Sequence, residues 1–472
     1  MLKQFTVISG GMAMILGGCG VEGANESQVD ESGQELASGS NSAGVAESVH
    51  TSGSIDRSNP FFQALGANPL PPAQPNLRSC ETCHDPNQGW TITASGISRL
   101  FHRTDGLAPV FMLHDAGSRP DADIATLATR KATFGPNLID RAVIRFTRNL
   151  TATFLTTAEF AVSGVIDPSG FSTPTSILAF RRPSPTANES KVPHTGWAGA
   201  ATAPFDSVAA TSGGAARLHE QLPAIPPVET VNAMRDFQLG VVFAQIIDCE
   251  AGRLDADGAR GGATNLLAQP FYVGINDLQG NDPMGQPFTR KVFDLFDAWA
   301  PANPRPRRED GKAKARAAIY RGQELFNNFE FDITGVNGLN DLLGQATVRG
   351  TCSTCHNAPN VGSHSVHRMF DIGTADAASC GPALPLITLQ NKANPELART
   401  VCDMGRATGT GKWADIGGFR APPLRGLAAR APYFHDGQAK DLKAVVKYFN
   451  ARFDMQLRDD QKSDLEAFLR AL

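Results

Sequence analysis

Hydrophobic and polar residues recur with a helical period in three stretches of the second half of the chain. These stretches are KARAAIYRGQELFNN (314–328), LKAVVKYFNARF (442–453) and SDLEAFLRAL (463–472). In the first of them Ala317, Tyr320, Leu325 and Phe326 lie roughly along one face, as in an amphipathic helix. Strand patterns are sparse, and 46 Gly with 31 Pro indicate many loops. The pattern therefore predicts a mainly α protein that is rich in loops.

An apolar segment at the N-terminus predicts an export signal. Lys3 is followed by an apolar run from Phe5 to Leu16, which is too short to span a bilayer and fits the core of a secretory signal peptide. The run ends in LGGCG, which resembles the cleavage box of bacterial lipoproteins. We therefore predict a lipoprotein signal peptide over residues 1–18 and lipidation of Cys19, with an ordinary signal peptide as the alternative.

The segment that follows the signal is polar and carries few large apolar side chains. Residues 19–58 are rich in Gly, Ser, Glu and Asn, so burial would not offset the entropy lost on ordering them. We predict a disordered tether between the lipid anchor and the folded body. The protein would then lie on the periplasmic face of the outer membrane or at the cell surface, and would contact the membrane through the lipid anchor alone.

A second polar segment divides the rest of the chain. Proline, glycine and dense charge over residues 301–311 indicate an exposed linker between a domain at 59–300 and a domain at 312–472. The net charge is −4 and the sequence has no basic run, so we do not expect nucleic acid as a partner.

The strongest chemical signal is a CxxCH motif that occurs once in each predicted domain. Its members are Cys80, Cys83 and His84 in the first copy, and Cys352, Cys355 and His356 in the second. The motif is typical of c-type haem attachment, because two thiols add to the vinyl groups of one macrocycle and the adjacent His ligates the iron. A zinc site would need a second cysteine pair about 15–20 residues away. We predict two covalently bound haem c groups, with His84 and His356 as proximal ligands of the haem iron.

The C-terminal part of the chain resembles a family of exported di-haem proteins. The stretch GGFRAPPLRGLAARAPYFHDGQAKDLKAVVKYF (417–449), after the second CxxCH, is similar to bacterial di-haem cytochrome c peroxidases and MauG proteins. The resemblance implies two cytochrome c-like haem domains in tandem, with long loops and inserts. It also implies one calcium ion near Ala431–His435, held partly by backbone carbonyls, and a homodimer.

The resemblance further implies an activity. A small electron-donor protein, either a cytochrome or a cupredoxin, would reduce the C-terminal haem. Hydrogen peroxide, or an organic or protein substrate, would be served at the N-terminal haem. The expected protein is thus a peroxidase-like or MauG-like oxidoreductase, and a di-haem electron carrier without peroxidase activity is the alternative.

The sixth ligand of the second iron departs from the family pattern. The family places Met or Tyr fourteen residues after the His of its HDG sequence, here His435, but this chain has Phe449, which cannot ligate iron. Use of Tyr448 would require a turn of roughly 100° around a helix. The sequence is also compatible with a five-coordinate iron, or with ligation by Met404, Met455, His364 or His367.

The resemblance assigns catalytic candidates by approximate position. Trp197, in HTGWAGAATAP, matches a Trp that relays electrons between the haems, although the Asp and Arg that usually follow it are absent. A packing role for Trp197 is equally compatible with the sequence. Peroxide cleavage needs an acid or an amide near the open iron, and Glu220 and Gln221 are the candidates. His102 and His114 are further candidates, as distal groups or switchable ligands.

Three cysteines remain outside the signal and the two motifs. Cys380 and Cys402 flank an insert of 21 residues, and an oxidising compartment favours disulfides. We therefore predict that these two pair. Cys249 is left either as an odd thiol or as a partner in another arrangement.

Overall fold

The protein has a mixed α/β fold. A computed structural model describes residues 28–29, 35–66, 76–199, 206–301 and 311–472. Helices make up 34% of the structure and strands 17%, so the prediction of a mainly α protein is wrong. A helix shows its period within one segment, whereas a short strand depends on a partner far away in the sequence that a local pattern does not reveal.

The bounds of the described elements are as follows. The helices are α1 (Ala94–Thr104), α2 (Leu127–Phe134), α3 (Ala152–Thr157), α4 (Asp206–His219), α5 (Val228–Gly240), α6 (Gly262–Ala268), α7 (Gly311–Asn328), α8 (Asn340–Leu343), α9 (Ala407–Thr410), α10 (Leu442–Arg452) and α11 (Asp459–Arg470). The strands are β1 (Gln28–Val29), β2 (Glu35–Asn41), β3 (Gly44–His50), β4 (Ile144–Asn149), β5 (Phe160–Ile166), β6 (Ser176–Arg181), β7 (Val241–Asp248), β8 (Gly252–Arg253), β9 (Phe331–Thr334), β10 (Thr347–Gly350), β11 (Leu386–Asn391) and β12 (Ala398–Val401).

Within the described residues the strands form four small antiparallel sheets. One sheet has the order β1-β2-β3-β7-β8 and another has the order β12-β11-β5, while β9 pairs with β10 and β4 with β6. In the five-stranded sheet both faces of the central pair are covered, since successive side chains of a strand point to opposite faces. Ala46, Val241 and Phe243 pack in one core cluster, and Val49 and Val242 pack in another.

This sheet overturns part of the predicted tether. β3 is buried along almost its whole length, so the prediction of a disordered segment is wrong over residues 35–58. The polar residues that suggested a tether serve as buried hydrogen-bond partners. Glu47 accepts a bond from the backbone N–H of Ala263, and Ser48 Oγ accepts one from the indole N–H of Trp90, both at 2.8 Å.

The three amphipathic helices predicted from the sequence are confirmed as α7, α10 and α11. α7 crosses α11 closely at Gly322, where an added Cβ would lie 2.0 Å from the backbone oxygen of Asp464, so the crossing requires a residue without a side chain. Phe326 of α7 and Phe468 of α11 meet with ring centroids 5.6 Å apart. These helices build a core cluster that also packs against the second cysteine pair.

One sheet joins the two halves that the predicted linker would separate. β5 in the first half pairs with β11 in the second. Beside this sheet, Cys380 and Cys402 form the disulfide predicted from the sequence, with an S–S distance of 2.13 Å. Cys249 is disulfide-bonded as well, so its assignment as an odd thiol is wrong.

Several sequence-based predictions concern residues that the structure does not describe. The signal peptide over 1–18, Cys19 and most of the linker, residues 302–310, lie outside the described ranges. Within those ranges, no helix combines the length and the apolar character that crossing a membrane requires.

Candidate haem sites

Each CxxCH motif begins in a short 3₁₀ turn. In the second copy the turn spans Cys352–Thr354, and Thr351 Oγ1 caps it by accepting a hydrogen bond from the N–H of Ser353 at 3.2 Å. The backbone N–H of the motif's His then donates to the carbonyl of the first Cys, at 3.1 Å for His356 and 3.0 Å for His84. The turn therefore fixes the two thiols and the imidazole relative to one another in the same way in both copies.

Hydrogen bonds set the tautomer of both motif histidines. Nδ1 of His84 lies 3.1 Å from the carbonyl oxygen of Trp90, and Nδ1 of His356 lies 2.5 Å from that of Gly362. A carbonyl only accepts, so Nδ1 carries the hydrogen and Nε2 keeps its lone pair. Burial lowers the pKa of both imidazoles to about 4. Both are thus neutral at pH 7, as an iron ligand must be.

None of the four motif cysteines is in a disulfide. Burial raises the pKa of Cys83 to about 11 and those of Cys352 and Cys355 to about 12, and it raises the pKa of Cys80 as well. Zinc binds thiolates, and no convergent group of metal-ligating side chains among the described residues includes any of the four. These buried thiols therefore fit thioether formation better than a zinc site.

An apolar cavity of about 220 Å³ opens beside the second motif. Its wall combines the motif's cysteines and His with side chains from α7, α10, α11 and the loops between them. Apolar wall residues include Phe326, Phe331, Ile333, Phe370, Leu424, Val446, Phe449, Met455, Leu465 and Leu469. Such a wall fits the apolar body of a haem macrocycle.

Three buried arginines line the same cavity: Arg182, Arg420 and Arg430. Burial lowers the pKa of Arg182 to about 9 and that of Arg430 to about 10. Nε of Arg182 and Nε of Arg420 are buried without a hydrogen-bond partner. Guanidinium groups pair well with carboxylates, so the two carboxylate side chains of a haem would satisfy these donors. The residues present thus fit a haem at this site.

The cavity sorts the candidates for the sixth ligand. Phe449 and Met455 line it. Tyr448 does not, because its hydroxyl donates to the carbonyl of Ile372 at 2.8 Å, and ligation by Tyr448 is therefore wrong. Met404, His364 and His367 also lie outside the lining. Met455 is the candidate methionine that lines the cavity.

His435 is a second potential ligand at the cavity wall. It is 1% exposed, and neither ring nitrogen has a hydrogen-bond partner. The ring stacks on Phe419 with centroids 4.0 Å apart and an interplanar angle of 16°. The structure thus places His435 beside the cavity of the second motif.

Trp197 lies against the C-terminal site. Its indole lines the cavity, and Nε1 donates to the carbonyl of Arg182 at 2.9 Å. Its own carbonyl accepts the N–H of Arg420 at 2.9 Å. The structure thus brings the predicted relay residue to one of the two sites.

Glu220 lies beside the N-terminal motif. The side chain is buried, with Oε1 3.9 Å from the sulfur of Cys80 and Oε2 accepting the N–H of Leu65 at 3.0 Å. Burial raises the pKa of Glu220 to about 7. A carboxyl group with this pKa can both accept and donate a proton near neutral pH. Gln221 follows it and accepts a bond from Asn76 at 3.2 Å.

A charged network adjoins the same motif, and of its members the sequence analysis named only His114, as a distal candidate. Asp115 is buried, accepts two bonds from Arg78 at 2.6 and 2.7 Å, and lies 2.7 Å from Nδ1 of His219. Nε2 of His114 lies 3.1 Å from the same carboxylate. Burial alone would raise the pKa of Asp115, but Arg78 and the two histidines hold it well below its usual value.

For His219 and Arg78, the signal in the sequence is their position next to residues that the sequence analysis did name. His219 directly precedes Glu220, and Arg78 lies two residues before Cys80. His102, another distal candidate, is exposed on α1, so the structure does not bring it into the site.

Comparisons with known proteins place the chain. No protein-family model matches it. Over 122 residues it is 35% identical to the cytochrome c551 peroxidase of Pseudomonas aeruginosa, which covers 26% of this chain and 30% of that protein. Over 140 residues it is 32% identical to the cytochrome c551 peroxidase of Nitrosomonas europaea, covering 29% and 35%. Over these segments the chain is similar to cytochrome c551 peroxidases.

The match to these relatives is partial. The chain covers about a third of the length of the curated relatives it matches. Among solved structures it is similar to a MauG-like protein associated with microbial copper homeostasis, at 19% identity and a TM-score of 0.33, over 66% of this chain and 76% of that one. At this TM-score the likeness carries no statement about function.

The segment Ala431–His435, near which the resemblance implies one calcium ion, lies close to the guanidinium groups of Arg182 and Arg430. The carbonyl of His435 accepts the backbone N–H of Arg182 at 2.7 Å. The guanidinium of Arg430 donates to the carbonyls of Gly426 at 3.1 Å and Pro423 at 3.0 Å. Calcium binds oxygen ligands, several of them usually carboxylates, and the positive charge of these guanidinium groups would repel a dication.

Proposed function

We propose that the protein is a peroxidase-like di-haem oxidoreductase that takes electrons from a small donor protein and delivers them to a peroxide. The difference between the surroundings of the two CxxCH motifs carries this proposal. The second motif opens on an apolar cavity, whereas the first lies beside the buried carboxyl group of Glu220 and the pair Arg78–Asp115. Electron transfer needs no proton donor, but peroxide cleavage does.

The second motif would hold a haem between His356 and Met455. When bound, the haem groups would supply electron transfer at this motif and peroxide reduction at the first one. The three cavity arginines would bind the haem carboxylates, and the apolar wall would exclude water. Fixed guanidinium charges near a redox centre stabilise its electron-rich state, which suits a site that collects electrons.

At the first motif, the residues would handle protons. Reduction of hydrogen peroxide to two waters consumes two electrons and two protons. Glu220 would take a proton from the peroxide at one oxygen and return it to the departing oxygen, for which a pKa near neutrality is suited. Asp115, fixed by Arg78, would orient His219 next to Glu220 and keep this region charged and ordered.

Trp197 would contribute to electron transfer between the sites. Its contact with the cavity and its hydrogen bond to Arg182 support this role. The absence of an Asp directly after it, where Ala198 stands, favours the competing proposal of a pure electron carrier.

We also propose that the protein is exported and anchored as a lipoprotein through Cys19. The Cys380–Cys402 disulfide supports an oxidising compartment. Covalent haem attachment at the two motifs would take place in the same compartment. The donor would then be a periplasmic cytochrome or cupredoxin.

Rapid mixing tests the proposed activity. The protein carrying both haems is reduced, mixed with hydrogen peroxide, and followed by its haem absorption under single-turnover conditions. We expect oxidation that saturates with peroxide and that slows by a factor of about 10²–10⁴ in Glu220→Gln, the contribution of general acid–base catalysis. An oxidation rate equal in both proteins and equal to that of a simple cytochrome c would establish the electron carrier instead.

A further inference from the structure

Two neighbouring histidines outside the wall of the haem cavity have buried ring nitrogens without a hydrogen-bond partner. His194 is 2% exposed, and neither of its ring nitrogens is bonded. Nε2 of His367 is also buried without a partner. Buried polar groups in proteins are nearly always satisfied, so an unpaired pair of imidazoles in contact calls for a ligand or an ion.

The two imidazoles converge with a thioether. The rings of His194 and His367 have centroids 4.5 Å apart and an interplanar angle of 62°. A Cβ added to Gly199 would lie 2.3 Å from Cε of Met369, 2.9 Å from Nε2 of His367 and 3.3 Å from Cδ2 of His194. All three side chains therefore meet over the glycine, whose lack of a side chain leaves room between them.

We propose that His194, His367 and Met369 form a binding site for one Cu(I) ion. Two imidazoles and a thioether are soft neutral ligands, and copper(I) prefers such ligands over the oxygen donors that calcium or magnesium needs. His367 is half-buried, so an ion can reach the site from solvent.

The charges around the site favour a monovalent ion over a divalent one. Arg420 donates to the carbonyl of His194 at 2.8 Å, and Arg406 donates to that of Ala198 at 3.1 Å. Glu189 lies 3.5 Å from Arg420 and offsets part of this charge. A dication would meet twice the Coulomb repulsion that Cu(I) meets from the remaining positive charge.

The proposed site is separate from the haem cavity but close to it. None of its three ligands lines the cavity. Arg420 and Trp197 do line it, and Arg420 also donates to the carbonyl of His194. The proposal goes beyond the peroxidase function and does not depend on it.

The test is an anaerobic titration of the full chain carrying both haems with Cu(I), in competition with a chromophoric Cu(I) chelator. We expect one strongly bound Cu(I) per chain. Affinity should fall at least tenfold in His194→Gln, His367→Gln and Met369→Leu. His102→Gln, an exposed histidine on α1, is the matched control and should bind as the parent does.

Spectra of the variants and of the bound copper control for misfolding and identify the ligands. The haem absorption and circular dichroism spectra of each variant show whether it is folded, and Met369→Leu preserves side-chain volume if a His variant is not. X-ray absorption at the copper edge should show nitrogen and sulfur ligands, and the sulfur should vanish in Met369→Leu. Absence of bound Cu(I) would overturn the proposal. Cu(I) binding of parental affinity in both Met369→Leu and a folded His variant would also overturn it. Peroxide turnover is measured in a separate assay, because the copper site does not depend on it.

Discussion

At the residue scale, the protonation of Glu220 determines the expected pH dependence. Its buried carboxyl group has a pKa of about 7. Because the group must be ionised to accept the first proton from peroxide, the second-order rate constant should rise as the pH increases through about 7. Glu220→Gln should flatten the profile in this range. Stopped-flow measurements from acid to alkaline pH report the profile directly.

A matched variant separates a local effect from a general one. Glu229 lies exposed at the start of α5, so Glu229→Gln should keep the parent profile.

The raised pKa of Glu220 also has a consequence for stability, since the folded state binds the proton more tightly than the unfolded chain. Its contribution to stability is therefore largest at low pH and declines as the pH rises from the unfolded pKa toward 7. A rate profile in Glu220→Gln with the same inflection as the parent would remove Glu220 from the mechanism.

Met455 gives a second residue-scale prediction. Met455→Leu should abolish the near-infrared absorption band that marks methionine-ligated ferric haem c, and should lower the midpoint potential of that haem. Met404 is buried in a different core cluster, so Met404→Leu is the control and should keep the band. If electron paramagnetic resonance of the parent shows a bis-histidine signal for this haem, His435 rather than Met455 is the ligand.

The same residues show how far the sequence alone leads. CxxCH could be assigned to haem because all the residues that attach the group lie within five consecutive positions. Both copies also form the same short 3₁₀ turn. The choice between Phe449 and Tyr448 depends on the rotation of α10, roughly 100° per residue. Met455 depends on a loop in which Asp454 and Gln456 both have positive φ. Such a backbone is not encoded in the local hydrophobic pattern.

At the scale of elements, β3 distinguishes a folded N-terminal segment from a tether. Val49 is fully buried and packs with Val242 and Ala244. Val49→Asp buries an unpaired carboxylate and should lower the free energy of unfolding by about 3–5 kcal/mol. Ser40→Asp, on the exposed side of the neighbouring strand, should have little effect. Equal denaturation midpoints for the two variants in urea would mean that this segment is not part of the fold.

The elements also explain why helices were predictable and sheets were not. α7, α10 and α11 carry their apolar face within one segment. β3 is short and contains Glu47 and Ser48, whose partners Ala263 and Trp90 are distant in sequence. A polar strand with buried partners looks like a flexible segment until those partners are known.

At the scale of the whole molecule, charged groups tie the two halves together. Asp436 pairs with Arg141 at 2.7 Å and Asp403 with Arg181 at 2.6 Å, with both carboxylates almost fully buried. β5 and β11 add backbone pairing across the same halves. The relative position of the two CxxCH motifs is thus set by hydrogen bonds and ion pairs within the chain.

The arginines predict that this molecule does not depend on calcium. Arg430 donates to the backbone carbonyls of Pro423 and Gly426, close to the segment Ala431–His435 where the resemblance implies an ion, so a chelator such as EGTA should leave both the melting temperature and the haem spectra unchanged. Arg430→Ala leaves those carbonyls without a donor and should cost about 1–3 kcal/mol, whereas Arg458→Ala, on the exposed N-terminus of α11, should not. Arg430→Ala also removes a positive charge that would repel calcium. The most informative comparison is therefore the effect of added calcium on the stability of the variant and of the parent. Calcium that stabilises the variant but not the parent would show that the arginine replaces the ion, and a parent that EGTA destabilises would show that it does not.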